Sequence, residues 1–279
     1  MGSRPAAGGE PPVPTGTTDR GGLVPPSGQS PGGRPRGASP SEGSPGGRPP
    51  GANTAVTVQH LLVRYAKRGK MRFASHLDVA RAFERGVRRA GLPIAYSTGF
   101  TPHPKISYAG GAPTGVASEA EYLSLTLTSR TEADAVRERL NAALPDGIDV
   151  IAVTEDSGGL PASRLTASEW QVALPGLPAD NVVPVVRKFL TLTEAPVERL
   201  TSKGLRRMDA RAAVVSLDVL DDASAGSALR MVVRHTVPSV RPDDVLNALR
   251  DVSDVFPAGQ PLMTRLAQGS LGESGVVQL

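Results

Sequence analysis

The chain contains no cysteine. That single absence excludes disulfides, thiolate zinc sites, thiol nucleophiles and cysteine-ligated iron–sulfur clusters within this polypeptide. No stretch of about 18 apolar residues occurs, so no membrane span is expected. No apolar segment of signal-peptide type follows Met1, and the expectation is a cytoplasmic protein. Histidine is sparse, with four residues, and none pairs with another at the His-x-x-x-His or His-Glu-x-x-His spacing of a metal motif. His76 and His103 with Glu119 or Glu121 would offer nitrogen and oxygen ligands, but without that spacing no metal is expected. The glycine-rich run Gly110 to Gly115, "GGAPTG", lacks the Lys-Ser/Thr that completes a phosphate-binding loop, and no cofactor is expected either.

Glycine and proline, by contrast, are crowded at one end. Residues 1–55 hold 14 Gly and 12 Pro, no aromatic residue, and the repeat "SPGGRP" at Ser30 and Ser44. Such a composition buries too little apolar surface to offset chain entropy, and 1–55 is expected to be a disordered tail. The remaining residues suffice for two small domains. The expected division is a basic first domain over 56–155, a linker over 156–168, a second α/β domain over 169–270 and a flexible end over 271–279.

Charge is unevenly spread over a net +4. Val58 to Gly110 carries ten Lys/Arg against two acids, whereas Gly111 to Pro161 carries three against nine. One face of the first domain is thus suited to a polyanion or an acidic partner.

Periodicity supplies the elements. The run "VQHLLVRYAKRGKMRFAS" reads as extended around a "KRGK" turn, with Leu61, Val63 and Tyr65 opposed to Leu62, Arg64 and Ala66. Ser75 followed by Asp78 forms a capping-box variant that opens a helix over 76–90, and Gly91-Leu92-Pro93 closes it. Strands are expected at "IAYS", "ISYA", "EYLSLTLTS" and "GIDVIAVTE", with a second helix over 131–144 opened by Thr131 and Asp134. The order β, α, β, β, α, β is that of a ferredoxin-like split βαβ sandwich. The second half repeats the rhythm: strands at "EWQVALPG", "VERLTSK", "ARAAVVSLDVL" around a "GLRRMD" turn, and "LRMVVRHTV", with helices over 181–190 and 242–252. The fold class expected is α+β, two ferredoxin-like sandwiches in tandem.

On a helical wheel, Ala80, Phe83, Val87 and Ala90 share one face of the first helix with His76, while Arg81, Arg85, Arg88 and Arg89 share the other with Asp78. His76 is then expected to be buried or half-buried, satisfied by a hydrogen bond. Seven of the ten aromatic residues lie between Tyr65 and Tyr122. Basic residues interleaved with rings suit single-stranded nucleic acid, where phosphates pair with Lys or Arg and bases stack. The loop "YSTGFTPHPKIS" is stiffened by Pro102 and Pro104 and presents Phe100, His103 and Lys105. The binding candidates are therefore Arg72, Arg81, Arg85, Arg88, Arg89, Tyr96, Phe100, His103 and Lys105. His103 and His76 are the acid–base candidates.

The run "KMRFASHLDVARAFERGVRRAGLPIAYSTGFTPHPKISYAGGAPTGVASEAEYLSL" resembles the bacterial radical-SAM-associated proteins, which carry a domain of unknown function either alone or fused to a radical SAM protein. "KGLRRMDARAAVVSL", with Asp209 and Arg211 in an Asp-x-Arg element, "VRPDDVL" and "TRLAQG" extend the resemblance; Ser124 stands where that family often has an acidic residue. The resemblance implies a radical SAM protein as partner. The absence of cysteine places any such chemistry on another polypeptide. Standalone members of that family tend to be encoded beside a ribonuclease of the E/G type and large-subunit ribosomal proteins, which implies RNA or the ribosome as a further partner. Three readings follow: a noncatalytic RNA- or ribosome-binding adaptor, a metal-independent RNA-processing enzyme using His103 and His76, or a protein-interaction module.

Overall fold

A computed structural model describes residues 57–156, 160, 162–202, 204–222, 226–256, 261–273 and 275–279. The Gly/Pro-rich stretch expected to be disordered lies outside the described residues, as do parts of the expected linker.

The first half runs β1 (Gln59–Lys67), a 3-10 turn (Gly69–Phe73), α1 (His76–Arg89), β2 (Ile106–Ala109), β3 (Ala117–Leu127), α2 (Ala133–Ala143) and β4 (Ile148–Glu155). Its strands lie in the order β4-β1-β3-β2, every neighbouring pair antiparallel. This is the split βαβ arrangement that the order of elements predicts. The alternation of β1 holds: Leu61, Val63 and Tyr65 join the core with α1 and α2, and Leu62 packs with Ala120, Tyr122 and Leu165 on the opposite face.

The capping box forms as expected: Ser75 Oγ accepts from Asp78 N at 3.2 Å and Asp78 accepts from Ser75 N at 3.1 Å. At the other end Gly91 takes φ 58°, Gly91 N donates to Arg88 O and Leu92 N to Val87 O. That is a Schellman closure, which requires a left-handed residue and explains the glycine. The buried face of α1 is Val79, Ala82, Phe83, Gly86 and Val87. Ala80 and Ala90 are only half-buried and His76 is exposed, so the core stripe lies about one residue away from the expected one. Gly86 marks the reason: an added Cβ there would meet Leu144 Cδ2 at 2.9 Å, so α1 sits close against the end of α2. Full burial of Phe83 or Val87 contributes about 1.5–3 kcal/mol each.

The second half has the same plan: β5 (Ala167–Pro175), α3 (Ala179–Leu190), β6 (Pro196–Thr201), β7 (Gly204–Asp209), α4 (Ala210–Ala213), β8 (Val214–Asp222), β9 (Gly226–Arg234), α5 (Pro242–Val252), β10 (Met263–Gly272) and β11 (Gly275–Gln278). Its sheet order β10-β5-β9-β8 is antiparallel throughout and repeats that of the first half, with the β6–β7 hairpin and α4 inserted after α3. Three local expectations change. "GLRRMD" is strand β7 rather than a turn; Ala210–Ala213 is helical rather than the start of a strand; and residues 275–278, expected within a flexible end, pair with β10. The Asp-x-Arg element serves this insertion: Asp209 Oδ1 accepts from Ala195 N and Arg211 N, both at 2.9 Å, and Arg211 Nε donates to Leu190 O at 3.2 Å.

The two sheets merge into one of nine strands. β10 runs parallel to the start of β3 over two pairs, Thr264 with Ala117 and Arg265 with Ser118. Beyond them the sheet forks, because β3 pairs onward with β2 (Ile106 with Leu125) while β10 pairs onward with β11 (Gly269 with Gln278).

Candidate functional site

The loop between α1 and β2 is a flap. Ile94 bridges to Leu127 and Tyr96 to Pro104, Ser97 N donates to His103 O at 2.8 Å, and His103 N donates to Ser97 Oγ at 3.0 Å. "IAYS" is thus two isolated bridges rather than a strand. Pro104 is buried and fixes the base, while Tyr96 is 41% exposed and Phe100 at the tip is fully exposed. Lys105 and His103 are exposed beside them.

Four residues, Ala90 to Pro93, connect the flap to the last turn of α1. Arg81, Arg85, Arg88 and Arg89 are all exposed on that helix, as the wheel requires. Arg88 and Arg89 also complement the helix C-terminus, and Arg89 Nη1 donates to Ala143 O at 3.0 Å, so Arg89 is partly committed to holding α2. Arg72 belongs elsewhere: its guanidinium lies 4.6 Å from the centre of the Phe73 ring, and both line a cavity with Pro113, Gly115, Arg241 and Asp243.

Beside it, at the fork, lies a cleft with groups that the sequence patterns leave unremarked. Glu121 of β3 and Arg265 of β10 are each 4% exposed and form an ion pair across the junction of the two halves. Arg265 Nε donates to Ser118 Oγ at 3.2 Å, its Nη1 to Gln268 Oε1, and its guanidinium faces Trp170 at 5.5 Å. Both Glu121 oxygens also accept from Ala112 N, at 3.2 and 3.1 Å. Lys67, 3% exposed at the end of β1, donates to the carbonyls of Ala112 and Pro113 at 3.2 and 3.3 Å. Burial lowers its pKa from the ordinary lysine value, with Glu121 opposing and Arg265 reinforcing the shift.

A cavity of about 230 Å³ opens here, lined by Tyr65, Lys67, His76, Val79, Gly111, Ala112 and Glu121. His76 stands at it edge-on to Tyr108, with ring centres 5.2 Å apart. Burial raises the pKa of Tyr65, next to the Glu121 charge, and keeps its phenol neutral. The run "GGAPTG" separates this cavity from that of Arg72: Gly111 and Ala112 line one, Pro113 to Gly115 the other. The one legible signal was Lys67, which shares the inward parity of Leu61, Val63 and Tyr65.

His76 and His103 are not brought together: no hydrogen bond or ring contact joins them among the described residues, and they occupy the cleft and the flap respectively. Glu119 is engaged by Arg68, whose Nε donates to it at 2.7 Å. Among the described residues, no cluster of three His, Asp or Glu is placed to hold a metal ion, and no helix is long and apolar enough to cross a membrane.

No curated protein matches this chain. A solved structure that is similar, "Crystal Structure of a Cbf5-Nop10-Gar1 Complex", aligns with 12% identity and a TM-score of 0.41 over 78% of this chain and 52% of that one, so this chain spans about half its length. Residues 60–242 match the family described as "Uncharacterized protein conserved in bacteria (DUF2344)".

Proposed function

The chain belongs to this family of uncharacterised bacterial proteins, and on that premise we propose that it is a noncatalytic adaptor that binds RNA, free or in the ribosome, beside a separate enzyme. The observation that carries this reading is the flap: Phe100 wholly exposed at the tip of a pinned hairpin, with Tyr96, His103 and Lys105 exposed around it. An aromatic platform with adjacent cations is what unpaired bases and their phosphates require, and a pinned flap loses little entropy on binding. The exposed Arg81, Arg85 and Arg88 supply a second run of charge for the backbone. The sequence resemblance points to a radical SAM protein as the enzyme served, because a chain without cysteine cannot ligate its cluster.

The test is titration of labelled single-stranded and hairpin RNA by fluorescence anisotropy across a salt series. Binding should weaken linearly in log salt, and Phe100→Ala should weaken it by about 1–3 kcal/mol, the worth of one stacked base. Arg81→Ala/Arg85→Ala/Arg88→Ala should reduce the salt slope. Absence of binding at low salt, or binding indifferent to both variants, overturns the reading. A partner captured after nuclease treatment, with no RNA bound, would favour a protein-docking role for the same flap.

A further inference from the structure

The cleft carries a charge imbalance that the adaptor reading does not use. Lys67 and Arg265 are both buried cations, and among the described residues the carboxylate buried beside them is Glu121, which is paired with Arg265. Lys67 Nζ donates to two neutral peptide carbonyls, at 3.2 and 3.3 Å, and shares the Glu121 charge with Arg265, so the three buried groups together carry one net positive charge. Buried charge in excess of its counter-charge is costly, and an anion entering the cavity would offset that cost.

The geometry around Lys67 is that of a receiving site. The cavity holds about 230 Å³, roughly eight water volumes, enough for a small group and its solvation but not for a folded partner. Gly111 shapes its wall. A Cβ placed there would lie 3.6 Å from His76 Nδ1 and 3.8 Å from Glu121 Oε2, so the imidazole and the carboxylate converge on one point. The Glu121 carboxylate also lines the cavity, but Arg265 and Ala112 N hold it, so the excess positive charge faces the cavity from Lys67, with His76, exposed at the opening, as a further donor.

We propose that this cavity binds a small oxyanion, a carboxylate or a phosphate group, on Lys67 Nζ with His76 closing the opening. The site is separate from the flap and stands whether or not the flap binds RNA. The group arrives either on a free small molecule or as a phosphate of bound nucleic acid.

The experiment titrates inorganic phosphate and, separately, acetate into the full chain at constant ionic strength, reading the His76 imidazole resonance by NMR and the midpoint of thermal unfolding. At least one anion should move both readouts saturably. Lys67→Met should abolish the response, while Lys105→Met, a charge change of equal size on the exposed flap, should leave it intact. Because Lys67→Met could alter folding, Lys67→Arg serves as a second variant, expected to retain a cation and a weakened response. No saturable shift with either anion, or a response preserved in Lys67→Met, overturns the proposal. A short RNA that displaces phosphate from His76 identifies nucleic acid as the source, and one that binds without displacing it identifies a free small molecule. Phe100→Ala separates the two readings, since it should weaken RNA binding without changing the phosphate titration.

Discussion

Replacing Glu121 by Gln keeps the shape of the cleft and removes one charge, which makes it the sharpest probe of what joins the two halves. In the native protein Glu121 and Arg265, 144 positions apart, are each 4% exposed and satisfy one another. After Glu121→Gln, Arg265 retains Ser118, Gln268 and the Trp170 ring, but it and Lys67 become two buried cations with no anion between them. Breaking one partner of a buried pair costs about 3–5 kcal/mol. At about 2–4 °C per kcal/mol for a body of this size, the unfolding midpoint should fall by roughly 6–20 °C. Replacing both groups, Glu121→Gln with Arg265→Met, should recover most of that loss, because the isolated charge is gone. A double-mutant cycle by chemical denaturation measures the coupling. The reasoning is refuted if the single variant loses less than about 1 kcal/mol, or if the two changes are additive. Since the pair spans β3 and β10 where the two sheets touch over only two residue pairs, the single variant should also broaden unfolding into two transitions by calorimetry.

Gly110→Ala should destabilise by about 1–3 kcal/mol, because the residue has φ 59° and its new Cβ would lie 2.2 Å from Gln268 Nε2, a side chain with no exposed surface; urea denaturation reads it. Ser75→Ala should cost about 1 kcal/mol through the lost cap of α1, with no change in RNA binding measured on the same sample. His235 is held neutral, with Nδ1 donating to Leu165 O at 2.7 Å and Nε2 accepting from Ser168 Oγ at 2.6 Å, and burial depresses its pKa below the ordinary 6.5. Its contribution is therefore fully present above pH 6.5 and is lost as pH falls toward the folded value, so His235→Gln should flatten the stability profile measured by denaturation between about pH 7 and pH 5.

Local chemistry made much of the first half legible. The cap at Ser75, the glycine at position 91 and the alternation of β1 each act within one or two turns of chain, and each forms as its residues dictate. The burial phase of α1 is less legible, because two of its five buried residues, Ala82 and Gly86, are small. Composition says nothing of how close Leu144 approaches them; that is a property of the packed helix pair. "GLRRMD" failed as a turn for a related reason. Its four-residue exposed stretch, Gly204 to Arg207, has no apolar alternation, and β7 exists because it pairs with β6 rather than through any hydrophobic pattern of its own.

The same division holds for function. The sequence alone determines that no cysteine-based chemistry resides in this chain, that basic charge concentrates before Gly110, and that two prolines stiffen the loop carrying Phe100. Those are matters of inventory and of bonded geometry, which need no fold. Only the tertiary structure decides that Phe100 stands free while Tyr65 and Phe83, in the same aromatic-rich segment, are core. It alone decides that Lys67, Glu121 and Arg265 meet, because a contact across 144 positions depends on which strand edges pair, and that choice is made by the whole sheet. His76, expected among buried residues, is instead exposed at the cleft between the halves, where a charge imbalance rather than a motif marks the site.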